Sequence, residues 1–312
     1  MTDRLKIFSG NSNRPLVEHI CKLLRIKIGD VMIDRFSDGE IQVKINENVR
    51  GEDIFVIQST SYPANDNLME LLILLDALKR ASAARLTAVL PYFGYARQDR
   101  KDQGRVPITA KLVANILSRA GTNRILTVDL HAGQIQGFFD IPLDHLFAIN
   151  IFVDYFNKLN LSNPVIVSPD VGGIKMARAY SKRLNASLAI VDKRRIDDRN
   201  AEVMNIMGEV KGKNAVIVDD LVATAGSLVE AAAALKNAGA LDIYAAITHA
   251  VLCGPAIERI SHSSIKELIV TDTVFTEPAK LINRIKVASI APLLAEAIKR
   301  IHNEQSVSSL FD

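Results

Sequence analysis

Short runs of β-branched and apolar residues recur along the chain with helix-length sequence between them: IFVIQS, TAVLPY, ILTVDLH, VIVSPD, LAIVDK, NAVIVDD, IYAAITH and LIVTDT. Parallel strands need long crossovers, so this alternation implies α/β architecture with mainly parallel sheets flanked by helices. A near-repeat narrows it further. DIFVIQS, a helix over Asn67 to Ala81 and RLTAVLPY are echoed by NAVIVDD, a helix over Ser227 to Ala238 and DIYAAITH at similar spacing. The chain therefore reads as a duplicated α/β domain. At 312 residues and 48% hydrophobic it is long enough to fill two cores. The junction is expected between Ile141 and Pro164, around the helix-like stretch INIFVDYFNKLN, which gives domains of 1–148 and 149–312.

Charge narrows the functional classes. Thirty-eight basic and thirty-five acidic residues leave a net charge of +3, interspersed without an arm or tail. A nucleic-acid binder concentrates its basic residues on one face, so no nucleic-acid partner is expected. The start, MTDRLKIFSGNSN, places charges where a signal peptide is apolar, and the run LMELLILLDALKR is broken by Glu70 and Asp76. No membrane association is expected, and the location is expected to be cytoplasmic. Cys21 and Cys253 lack metal-ligand spacing and have apolar neighbours, so both read as buried thiols.

Four strand signals run straight into polar chemistry. His131 follows ILTVDL, Asp170 follows VIVSP, Lys193 follows LAIVD, and Asp219 with Asp220 follows AVIV. Ligands of open α/β sheets bind at the carboxyl ends of strands. Polar strand ends are common singly, because loops are polar. Four together favour a site.

The richest segment is VIVDDLVATAGSLVEAAAALKNAG, residues 216–239. A buried strand delivers two carboxylates, and a turn of Thr224, Ala225, Gly226 and Ser227 opens a helix. Ser227 and Glu230 have capping-box spacing, and Gly239 suits the helix end. Small residues at a helix amino terminus expose N–H groups that cradle a phosphate without a lysine. Asp219 and Asp220 can accept hydrogen bonds from a sugar diol. An ordinary capped turn would explain Ser227 and Gly226 but not the acid pair. No GxxxxGK[ST] or GxGxxG occurs, so nucleotide binding needs another solution. Arg97 and Gln98, in YFGYARQDRK, offer one: Arg97 suits phosphate and Gln98 an adenine edge. Lys193 and Arg195 stand where a strand gives way to the polar stretch IDDRNAEVMN, suited to closing over phosphates, although a solvated charge run reads the same way.

This segment resembles the phosphoribosyl-diphosphate-binding motif of type I phosphoribosyltransferases. With FSDGEIQVKINENVRGED, PYFGYARQDRK, VPITAKLVANIL, VDLHAGQIQGFFDIP, SPDVGG, VDKRR, AEVMNIMGEVKG, GPAIERI and IHNEQSVSSLF, the chain is similar to the ribose-phosphate diphosphokinases from about Lys6 to Phe311. The resemblance implies two phosphoribosyltransferase-type domains, with a tail over about 292–312 packing back on the first. It implies transfer of diphosphate from ATP to the anomeric hydroxyl of ribose 5-phosphate, with Mg²⁺ as cofactor. Lys193 and Arg195 are then catalytic. Phe36, Asp38 and Glu40 bind ATP from a neighbouring subunit, with Arg97 and Gln98. Read alone, FSDGE is simply a turn between strands. Asp170, Gly172 and Gly173 match the diphosphate loop, and His131 and Asp170 the metal-associated positions. A lone histidine is more often a packed residue, and imidazole is a poor magnesium donor, so Asp170 is the stronger of the two. The family also implies a homo-oligomer, a hexamer built from dimers, and regulation by phosphate and ADP.

Three residues depart from the family pattern. Ala223 replaces an acid in the ribose-phosphate loop, Asn48 a serine near the retained Arg50, and His145 an asparagine. Ala223 favours one rival reading, a non-catalytic homologue that assembles with an active enzyme. Lys193, Arg195, His131 and Arg97 oppose it. A transferase acting on a nucleobase is the other rival, and it leaves YFGYARQDRK unexplained.

Overall fold

The computed structural model describes residues 4–195 and 202–310, which form two compact units. Unit 1 comprises 1–147, 273–275 and 289–312, and unit 2 comprises 148–272 and 276–288. In unit 1, β1 (Leu5–Ser9), α1 (Arg14–Leu24), the hairpin of β2 (Val31–Arg35) and β3 (Ile41–Ile45), β4 (Asp53–Ile57) and α2 (Ala64–Arg80) come first. They are followed by β5 (Arg85–Leu90), α3 (Thr109–Ala120), β6 (Arg124–Val128) and β7 (Leu143–Leu146). Five of these strands make a parallel sheet in the order β1-β4-β5-β6-β7, and β2 and β3 pair separately and antiparallel.

Unit 2 runs through α4 (Ile149–Leu159), β8 (Pro164–Ser168), α5 (Ile174–Arg183), β9 (Ser187–Arg195), β10 (Glu202–Met207) and β11 (Asn214–Val222). It continues with α6 (Gly226–Asn237), β12 (Ile243–Ala250), α7 (Ala256–Ser261), β13 (Ile265–Thr271) and β14 (Ile285–Ala288). Its sheet order is β10-β9-β8-β11-β12-β13-β14, parallel except for β10. Within it, β8-β11-β12-β13-β14 reproduces the order of the unit 1 sheet, and the β9–β10 ribbon follows α5 as the β2–β3 hairpin follows α1. The echo heard in the sequence, β4–α2–β5 against β11–α6–β12, is the central parallel pair of each sheet.

The two cores are filled in the same way. Helix α2 buries Leu71, Leu74, Leu75 and Leu78 against Ile54, Val56, Ala88 and Leu90. Helix α6 buries Leu228, Ala231, Ala232 and Leu235 against Ala215, Ile217, Ala245 and Ile247. Both quartets sit at i, i+3, i+4 and i+7, one face of an α-helix. Strands covered on both faces read as continuous apolar runs, as DIFVI does in β4.

The last helix, α8 (Ala291–His302), belongs to unit 1. Arg85 grips Asp53 with Nε and Nη2 at 2.7 and 2.5 Å, His302 Nδ1 lies 2.7 Å from the same carboxylate, and Arg85 also donates to the Ile301 carbonyl. Among the described residues no helix is long and apolar enough to cross a membrane. One expectation fails here. Cys21 is buried but Cys253 is exposed, because it lies in the turn between β12 and α7 and not in either element.

Candidate active site

Unit 2 gathers its polar strand ends on adjacent strands, since β9, β8 and β11 are neighbours. Asp170 follows β8. Its Oδ1 accepts the Gly173 amide at 2.8 Å and Ser168 Oγ donates to its carbonyl at 2.7 Å, which folds SPDVGG tightly at the start of α5. Gly173 is required there, for a β-carbon would stand 2.7 Å from Ser168 Oγ. In β9, Lys193 pairs with Met204 and Arg195 with Glu202 across the backbone ladder. The segment 196–201 that follows lies outside the described residues.

Asp219 and Asp220 end β11, with Asp220 buried and Asp219 half-buried. The Asp220 amide donates to Asp219 Oδ1 at 2.9 Å. Burial, then the Asp220 carboxylate, push the Asp219 carboxyl up to about 8, and Asp170 adds to the rise. A carboxyl raised this far can donate a hydrogen bond as well as accept one. The pair can thus both accept from and donate to a vicinal diol.

The turn after them departs from a capping box. Ala225, at φ 60°, is the residue that enters α6, and no side chain caps it, so Ser227 lies inside the first turn. A left-handed alanine costs about 1 kcal/mol. It is held because its methyl group is buried in the unit 2 core. The first amides of α6 have no intrahelical acceptor and are exposed to an anion under the helix dipole. Gly239, at φ 89°, follows the helix as expected.

The corresponding turn of unit 1, Gln58 to Ser61 after β4, is closed. All four residues are buried. Gln58 Nε2 donates to Glu70 Oε1 at 2.8 Å, Asn67 Nδ2 to the Ser61 carbonyl at 2.9 Å, and Asn11 donates twice to Glu70. Of the two copies, one turn is packed by side chains around it and one is open.

In unit 1, Arg97 and Gln98 follow β5 and His131 follows the adjacent β6, all three exposed. Gly94 bonds the Thr60 hydroxyl through its amide, and a β-carbon there would meet the Thr60 carbonyl at 2.3 Å. Gln98 Oε1 accepts from Thr109 Oγ1 at 2.6 Å, and its carbonyl accepts the Ala110 amide, so it also anchors the start of α3. FSDGE is the tip of the β2–β3 hairpin. Phe36 there is 50% exposed, and Asp38 and Glu40 are exposed. Arg35 ties this hairpin to Asp66 of α2 at 3.0 Å. His145 is buried, and its Nε2 accepts the Leu130 amide at 2.8 Å. It fixes the turn that precedes His131.

No group of three or more metal-ligating side chains occurs among the described residues. Two structural residues went unread in the sequence: Ser168, whose hydroxyl folds the SPDVGG loop, and Arg259, which donates to the Thr224 carbonyl in the turn before α6. GPAIERI, which holds Arg259, marked kinship without suggesting a role.

Residues 5–121 match the family model for the N-terminal domain of ribose phosphate pyrophosphokinase, and residues 194–312 match a phosphoribosyl synthetase-associated domain. The chain is 57% identical over 311 residues to a ribose-phosphate pyrophosphokinase of Caldanaerobacter subterraneus, covering 99% of this chain and 98% of the relative. It belongs to the ribose-phosphate pyrophosphokinase family. A ribose-phosphate pyrophosphokinase of Bacillus caldolyticus is 55% identical over 309 residues, covering 99% and 98% of the two chains. The fold agrees with that membership: the phosphoribosylpyrophosphate synthetase structure from Mycobacterium smegmatis superposes with a TM-score of 0.92 at 40% identity, covering 97% of this chain and all of the other.

Proposed function

We propose that this ribose-phosphate pyrophosphokinase homologue transfers the diphosphate of ATP to the anomeric hydroxyl of ribose 5-phosphate, releasing AMP. The observation that carries the reading is the open turn of unit 2, an acid pair followed by uncapped amides of α6, in a chain whose other copy of the turn is closed. Asp219 and Asp220 hold the ribose hydroxyls. Thr224, Ala225, Gly226 and Ser227 hold the 5-phosphate through backbone amides. The Asp170–Gly173 turn receives the diphosphate. Lys193 and Arg195 are the cations that offset charge developing on the transferred group, since phosphoryl transfer depends chiefly on positioning and electrostatics.

Arg97 and Gln98 bind ATP in unit 1, and the half-exposed Phe36 with Asp38 and Glu40 serves the ATP of a neighbouring copy. That role makes the functional form a homo-oligomer, and we assign a hexamer built from dimers, in the cytoplasm, with phosphate and ADP as regulators. Magnesium, when bound, neutralises phosphate oxygens. It keeps several waters and takes only one or two protein ligands. Asp170, whose Oδ1 accepts the Gly173 amide, would hold it, and His131 is the second candidate.

The test is AMP release from ATP, measured with and without ribose 5-phosphate. Dependence on the sugar phosphate is expected. Equal AMP without it contradicts the assignment, and no AMP under any condition favours the non-catalytic homologue to which Ala223 points.

A further inference from the structure

Three successive carbonyls of the ribose-phosphate turn are tied to one neighbouring segment. Val222 accepts from the Leu252 amide at 3.1 Å, Ala223 from the Cys253 amide at 3.0 Å, and Thr224 from Arg259 Nη1 at 3.0 Å. The first two bonds are backbone to backbone and any sequence can make them. The third depends on a single side chain. Arg259 projects from α7, and its Nη1 would stand 3.2 Å from a β-carbon placed on Gly226. The guanidinium therefore lies against the opening of α6 itself.

A trans peptide sets the N–H of one residue opposite the C=O of the residue before. Drawing the Thr224 carbonyl toward Arg259 turns the Ala225 amide the other way. Ala225 is also the strained residue of the turn, at φ 60°. Strained backbone persists only where its surroundings hold it. Its methyl group is held by the core, and the peptide before it by Arg259.

We propose that Arg259 is a positioning residue for the sugar phosphate. It pins the Thr224–Ala225 peptide so that the Ala225 amide and the first amides of α6 face the 5-phosphate, and its charge reinforces that end of the helix. This rests on the function proposed above, because it assumes that the turn receives a phosphate.

Arg259→Gln and Arg259→Lys test it in the full-length protein, with AMP release and the thermal upshift caused by ribose 5-phosphate as readouts. A charge-assisted hydrogen bond is worth enough for Arg259→Gln to raise KM for ribose 5-phosphate about tenfold. The KM for ATP and kcat stay near wild type, the unliganded melting temperature is preserved because Arg259 is exposed, and Arg259→Lys recovers part of the loss. An unchanged KM for the sugar phosphate, or a fall confined to kcat, overturns the proposal. So does a lowered unliganded melting temperature in both variants, which would mark a structural prop. The upshift separates the two claims. If wild type releases no AMP yet is stabilised by ribose 5-phosphate, and Arg259→Gln weakens that stabilisation, the positioning role stands while the catalytic reading falls. No upshift in wild type overturns the positioning role.

Discussion

At Asp219, stability is tied to pH. Burial and the neighbouring Asp220 carboxylate hold its carboxyl near 8, against about 3.9 in an unfolded chain. Because the folded value is the higher one, the native state carries the extra proton across that interval. Its contribution to stability is full below about pH 4 and declines as pH rises toward about 8. Asp219→Asn keeps the shape and removes the ionisation. Thermal melts of the unliganded protein from pH 4.5 to 8 should therefore show a shallower decline for the variant and a higher midpoint at the alkaline end. Parallel curves would contradict this. Other residues show where sequence reading stops. The acid pair and the small turn were legible as VIVDDLVATAGS. That Ala225, and not Ser227, makes the entry to α6 was not, because a left-handed alanine is visible only once its methyl group is known to be buried. Cys253 failed for a related reason: its apolar neighbours Val251 and Leu252 share its turn, where Leu252 turns into the core and Cys253 does not.

Among the elements, the central parallel strands were the most legible, since a strand buried on both faces is an unbroken apolar run. β7, only LDHL, is too short and too polar to register, and β10 carries no mark of its antiparallel pairing with β9. The β2–β3 hairpin was visible only as a turn flanked by strands. The place of α8 in unit 1 came from family likeness and not from periodicity, and its physical basis is an apolar face, Leu294, Ile298 and Ile301 among it, joined by the Asp53 carboxylate shared by Arg85 and His302. Asp53→Ala removes the acceptor common to both. Arg85 remains partly solvated, so the loss should be about 2 kcal/mol, less than for a fully buried pair. It should appear as a lower urea midpoint, with Asp53→Asn intermediate between Ala and wild type. A midpoint unchanged by Asp53→Ala would show that apolar packing alone holds α8.

Across the whole chain, duplication followed by divergence accounts for the difference between the two turns. Two sheets share one strand order, yet Glu70, Asn67 and Asn11 fill the turn after β4, whereas the turn after β11 stays open behind Asp219 and Asp220. The sequence echo exposed the duplication. The closing of one copy depended on long-range hydrogen bonds that local pattern does not carry. The central claim is that the open copy receives ribose 5-phosphate and that the β- and γ-phosphates of ATP move to it together. Phosphorus NMR of the complete reaction follows both atoms at once. AMP and a sugar-linked diphosphate should appear in equal amounts, with no ADP and no free phosphate. Accumulation of ADP with a singly phosphorylated new position, or of free diphosphate without a new sugar resonance, would contradict it.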